Sequence, residues 1–207
     1  RAAQCGQQPV AMDLLQDSFG RCMAKAGEML GESQQLSAPP LNAIVTMDPG
    51  QDLDDEMFMV LSAALTARRA LNVAGVVTCL APAGMRARLA RGTMDQLGLP
   101  EVHVAAGTDG GASGDAESIA KMASVDYLTR LPPQEEAGLD LMSTLLQQAE
   151  PKSMTVVVIA SLKDVARLLK QEEALCVDKV KQVIIMGGVE PFVAGDAPAG
   201  TFLVPDT

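Results

Sequence analysis

Residues 41–56 read LNAIVTMDPGQDLDDE, and the order of residue types in that run decides the architecture. Residues 41–46 are a short, almost unbroken apolar run, the pattern of a strand buried on both faces rather than on one. Pro49 and Gly50 close it in a turn, and a helical pattern opens at Asp54 and extends to Arg69. Working outward from there, residues 71–79 form a second apolar strand. Pro82 opens a helix that runs to Leu97, Gly98 stops it, and residues 101–105 form a third strand. Helical segments follow around 116–124 and 139–149. Residues 154–160 are the strongest strand pattern, 162–170 a helix, and 180–186 another buried strand ending in Gly187 and Gly188. At least five strands alternating with helices predict an α/β fold: an open, mainly parallel sheet with right-handed crossovers and helices on both faces.

Upstream of this unit, Val10, Leu14, Leu15, Phe19, Cys22, Met23, Ala26, Met29 and Leu30 fall near helical spacing. Residues 1–40 therefore read as an amphipathic N-terminal helix and a linker, and residues 41–207 as the α/β domain. The helix would suit packing or contact with an assembly partner. The chain has 207 residues, of which 48% are hydrophobic and 20% charged, a composition that excludes disorder as its main state. No apolar run approaches the roughly 20 residues needed to span a bilayer. With 16 Lys and Arg against 26 Asp and Glu, the net charge of -10 repels a polyanion, so nucleic acid is not expected as a partner. Cys5, Cys22, Cys79 and Cys176 are scattered without a C-x-x-C pair, read as reduced structural thiols, and favour an intracellular compartment. The single histidine, His103, reads as an ordinary strand residue, which excludes a His-based triad within this chain. The 12 methionines read as core filler. Arg86, Arg88 and Arg91 share one helix and read as a solvated face.

The chemistry concentrates in the turn itself. Asp48, Asp52, Asp54, Asp55 and Glu56 place five acids within nine residues, directly after a strand and at the mouth of a helix. In an open parallel sheet that is where ligands bind. The helix N-terminus favours Asp54 and Asp55, yet adjacent carboxylates repel one another unless water or a cation screens them. A hard cation such as Ca2+ or Mg2+ matches that need; the alternative is an acidic helix cap with solvated side chains. No G-x-x-x-x-G-K-[ST] is present, and Gly107, Gly110, Gly111 and Gly114 do not follow a strand into a helix as G-x-G-x-x-G, so a nucleotide-phosphate cradle is not expected. The loop 107–114 lies on the substrate side of such a sheet.

Taken together, Asp48-Pro49-Gly50 through Asp54-Asp55, Val76-Val77-Thr78, Ala105-Ala106-Gly107, the strand ending at Ile159, and the Val183 to Gly188 strand end resemble the nucleoside hydrolase family of inosine-uridine preferring type, over about residues 42–195. The resemblance implies a Rossmann-like open sheet, a tightly bound Ca2+ and hydrolysis of the N-glycosidic bond of ribonucleosides. Carried over by position, Asp48 would be metal ligand and general base, Asp55 the second metal ligand, and Ile159 a metal ligand through its main-chain carbonyl. Asp54 would bind ribose, and Met186 would line the ribose pocket.

The sequence also departs from that pattern. The acidic turn is two residues longer than the family's usual D-P-G-x-D-D, so Asp52 rivals its neighbours for one of the roles. Thr78-Cys79-Leu80 stands where many members carry an Asn that contacts ribose. Both ends of the chain read as cut, and a later Asp ligand and a His of the family are expected beyond Thr207 in a longer enzyme. A second reading is a catalytically inactive relative that serves as a structural or binding subunit of a larger assembly or homo-oligomer. A metal-dependent phosphohydrolase is disfavoured, because no strand-end D-x-D-x-[TV] is present.

Overall fold

The computed structural model describes residues 39–50, 52–111 and 137–187. The N-terminal helix, most of the linker and the helical segment at 116–124 lie outside those residues, as do Gly114 and Gly188. The described elements run β1 (Leu41–Met47), α1 (Asp54–Ala67), β2 (Leu71–Thr78), α2 (Ala83–Gln96) and β3 (His103–Ala106). After residue 137 they continue with α3 (Gly138–Gln148), β4 (Met154–Val158), α4 (Lys163–Gln171), α5 (Glu173–Lys179) and β5 (Val180–Ile185). The strands form one sheet in the order β3-β2-β1-β4-β5, and every pairing is parallel. The expected α/β class and parallel sheet are therefore present; boundaries move by a residue or two, as helix ends commonly do. The α5 turn has no counterpart in the sequence reading, because seven residues between two stronger elements carry too little periodicity to separate from a loop.

The continuous apolar runs follow from burial on both sides. Ala43, Val45 and Met47 of β1 join Met59 of α1 and Ala90 and Met94 of α2 in one core, while Ile44 faces Met142, Leu146, Leu168 and Cys176 beneath α3, α4 and α5. Successive β1 side chains thus feed opposite layers, which removes any polar face from the strand. The methionines Met47, Met59, Met94 and Met142 are all fully buried, as filler in a core should be. Strand β5 differs from expectation. Val183, Ile184 and Ile185, in its second half, are 47%, 47% and 52% exposed, and since successive side chains point to opposite faces, neither face of the strand is covered there.

The entry to α3 shows how closely the layers approach. A Cβ added at Gly138 would lie 2.5 Å from Val77 Cγ1, 2.9 Å from Gly107 Cα and 3.0 Å from the Ala106 carbonyl oxygen. Two of those neighbours are backbone and cannot rotate away. Gly138→Ala is expected to cost about 2 kcal/mol in urea unfolding, the scale of an overpacked core; a change below about 0.5 kcal/mol would show that α3 can slide off the sheet.

Candidate active site

The strand order reverses beside β1. The chain winds from β1 through β2 to β3 on one side, then crosses to β4 on the other, so the carboxyl ends of β1 and β4 flank the switch point, where open parallel sheets take their ligands. Asp48 follows β1 directly and Ile159 follows β4 directly. The ends are tied together, since the Ile159 N–H donates to the Thr46 carbonyl at 3.0 Å and the Met186 N–H to the Val158 carbonyl at 2.8 Å. The acidic turn is therefore placed at the topological switch point by the sheet itself.

Within the turn, Gly50 adopts a φ of 111°, a conformation that a residue with a Cβ resists. The first turn of α1 then folds back onto the loop. The Asp48 N–H donates to Asp55 Oδ2 at 3.3 Å, and the Gly50 N–H donates to Glu56 Oε1 at 3.1 Å. No side chain caps α1 at Leu53, so its free amides and dipole act on Asp54, Asp55 and Glu56 of the first turn. Asp55 is only 2% exposed, and its Oδ1 is buried without a partner. Burial first, then the charges of Asp48, Asp54 and Glu56, push its carboxyl up to about 8. Burial also raises Asp48, against the opposing pull of Arg86, and raises Glu56. Asp54 and Asp52 are exposed, yet both are near enough for their charge to raise Asp48.

A hard cation fits this chemistry. Oxygen donors crowd together, one of them is buried and unpaired, and burial raises the carboxyls of Asp55, Asp48 and Glu56, a cost that a cation would offset. Among the described residues no three His, Cys, Asp or Glu side chains converge as a ready metal site, so the ion would draw on main-chain oxygen, water or further protein. The structure brings Asp48, Asp54 and Asp55 together and sets Ile159 at the adjacent strand end. Met186 stands at the end of β5, 53% exposed.

Two residues of this neighbourhood escaped the sequence reading. Arg86, expected on a solvated face, is fully buried. Its Nη1 donates to the carbonyl oxygens of Asp48 and, at 3.0 Å, of Pro49. Arg91 is not free surface either: it bonds the carbonyls of Val102 and Leu99 and pairs with Asp95. The signal for Arg86 was its helical phase, since it falls among Ala83, Ala87, Ala90 and Met94 on the buried side of α2. Asp164 is the second. It is buried in the first turn of α4 and accepts bonds from the Thr108 N–H and Oγ1, both at 2.9 Å. Ser161 Oγ donates to the Gly110 carbonyl at 2.7 Å, so the described part of the glycine loop is strapped to the β4–α4 junction although β2 and β1 lie between β3 and β4 in the sheet. No spacing signal in the sequence joins residues 108 and 164. Cys79 is buried, and burial followed by the Asp48 charge pushes its thiol up to about 12, which makes it a poor nucleophile or ligand.

The open parallel sheet, with a desolvated carboxylate turn at its switch point, defines an α/β protein of the doubly wound kind. The comparisons narrow that class. The inosine-uridine preferring nucleoside hydrolase profile matches residues 43–197, and the chain belongs to that family. Among solved structures it is similar to the type III effector protein XopQ complexed with adenosine diphosphate ribose, at 26% identity and a TM-score of 0.62, covering 91% of this chain and 51% of that one. It shares its fold with the plant nucleoside hydrolase PpNRh1 (21% identity, TM-score 0.55, covering 72% of this chain and 48% of that one). The inosine-uridine preferring nucleoside hydrolase from Bacillus anthracis has the same fold (16% identity, TM-score 0.52, 76% and 54% covered). The chain thus spans about half the length of these structures. No curated protein sequence matches it significantly. No described helix is long and apolar enough to cross a membrane.

Proposed function

We propose that this chain carries the strand-end acids of a Ca2+-dependent hydrolase that cleaves the N-glycosidic bond of ribonucleosides and releases base and ribose. The observation that carries the reading is the Asp48–Asp55 pair, desolvated and adjacent at the switch point of a sheet that belongs to this family. Asp48, Asp55 and the main-chain carbonyl of Ile159 would hold the ion. A bound Ca2+ would supply positive charge that favours the ionised form of both carboxyls and would acidify a neighbouring water. Asp48, once ionised, accepts the proton of the attacking water as general base. Attack at the anomeric carbon breaks the bond to the base as positive charge spreads over the ribose ring; the base leaves with the bonding pair and takes a proton from solvent, and Asp48 returns its proton to solvent. Asp54, exposed in the first turn of α1, would bond ribose hydroxyls and fix the sugar, and Met186 would pack against it.

The test is base release from inosine and uridine by the full-length protein, with CaCl2 and with EDTA. Release that requires CaCl2 and returns after EDTA is titrated out is the expected result. No turnover of any purine or pyrimidine riboside in saturating CaCl2 would sink the reading.

The likeness to XopQ favours one further possibility, that this site binds a ribose-bearing nucleotide without turning it over. Adenosine diphosphate ribose that binds in calorimetry and is recovered intact, with no riboside hydrolysed, would select that reading.

A further inference from the structure

We infer that Arg86 is a positioning residue for the acidic turn: from α2 it pins the Asp48–Pro49 backbone and so fixes where the Asp48 carboxylate stands relative to Asp55. Its tie to catalysis rests on the reading proposed above; its tie to the turn does not.

The turn is held from two sides. Its amides at Asp48 and Gly50 are taken by the carboxylates of Asp55 and Glu56, from α1. Pro49 between them has no N–H to offer, so nothing on that side can fasten the central residue. The opposite side carries the carbonyls of Asp48 and Pro49, and Arg86 Nη1 takes both. The two holds differ in what a ligand does to them. Asp55 and Glu56 grip the turn with the same kind of oxygen that a cation would claim. Arg86 grips it through a guanidinium bonded to two main-chain carbonyls, so the carboxylates of Asp55 and Glu56 can turn to a cation without releasing this hold.

Core filling does not account for the residue. A buried guanidinium loses its hydration and needs its donors satisfied to break even. Here Nε and Nη2 are buried with no hydrogen-bond partner, while aliphatic side chains fill the same helix face at Ala83, Ala87, Ala90 and Met94. A Met at position 86 would fill comparable space at less cost. What an apolar residue cannot supply is a fixed positive charge beside Asp48, Asp55 and Glu56, each of which feels Arg86 or acts on it. Charge and carbonyl contacts together point to the turn and not to the core.

Two variants of the full chain separate these roles. Arg86→Lys keeps the charge and loses the planar donor group that reaches two carbonyls; Arg86→Met loses both. In EDTA, amide hydrogen exchange over residues 48–57 is expected to quicken about 10-fold or more in both variants, more in Arg86→Met, while β1 and β2 keep their protection. Titration with CaCl2 is expected to show affinity about 10-fold weaker in Arg86→Lys than in the parent. Unchanged exchange over 48–57 in a folded variant overturns the inference. Protection lost evenly along the chain in both variants also overturns it, because Arg86 is then a general core residue. A parent chain that binds no Ca2+ defeats the proposed function, and the exchange result still decides the role of Arg86.

Discussion

Asp48→Asn in the full-length protein is expected to lower kcat for riboside hydrolysis by about 1,000-fold or more, with its urea midpoint close to that of the parent. The amide is isosteric with the acid, and the Asp48 backbone keeps its bonds to Asp55 and Arg86, so the turn retains its shape. What disappears is the group that takes the proton, together with one charge of the pair proposed to hold the cation. Asp54→Asn gives a useful contrast. That side chain is exposed and proposed to bond ribose, so its loss should raise KM more than it lowers kcat. An Asp52→Asn variant settles the longer acidic turn: if it raises KM and Asp54→Asn does not, the ribose role belongs to Asp52. Riboside turnover by Asp48→Asn within tenfold of the parent would remove Asp48 from the chemistry and leave it a turn residue.

How much of this was legible in the sequence depends on whether the relevant interaction was local. The run from Leu41 to Met47 announces a two-sided strand because one face is wholly apolar and the other, which carries Asn42 and Thr46, has Ile44 between them; the structure puts Ile44 and Val45 in opposite cores. The acidic turn was legible for the same reason: Pro49, Gly50 and the first-turn acids of α1 lie within nine residues and dictate one another's conformation. The exposed edge at β5 was not legible. A strand covered on both faces and one left uncovered spell the same apolar sequence, and only what packs over it tells them apart. The Thr108–Asp164 strap joins residues 56 apart in the chain through a loop and a helix end, with no periodicity linking them. Arg86 is the instructive miss. Charge type argued for solvent, while its phase among Ala83, Ala87 and Ala90 argued for burial, and phase was the better guide because a buried partner existed to receive the charge.

Asp55→Asn should make the metal-free protein more stable and at the same time unable to bind Ca2+. The carboxyl is pushed up to about 8 in the folded chain, far above its ordinary value of 3.8. Between those values the folded state holds a proton that the unfolded state has released, so stability falls as pH rises through the window and levels off above about pH 8. Asn is neutral throughout, and its side-chain oxygen can still accept the Asp48 N–H. Urea unfolding in EDTA should therefore show a pH slope shallower by up to about one proton in the variant, with the stability gain reaching its full size above about pH 8. Asp48 and Glu56 are also raised and keep their own contribution to the slope in both proteins. Adding CaCl2 should restore the parent and leave the variant unmoved, since mass action stabilises only a protein that binds the ion. Equal slopes in EDTA would mean that Asp55 ionises normally in the folded chain, and the desolvated-pair argument would fail with it. A variant that gains stability while losing its ion would show why an unpaired buried oxygen persists in a well-packed turn: it is costly without a cation, and the cost is what binding relieves.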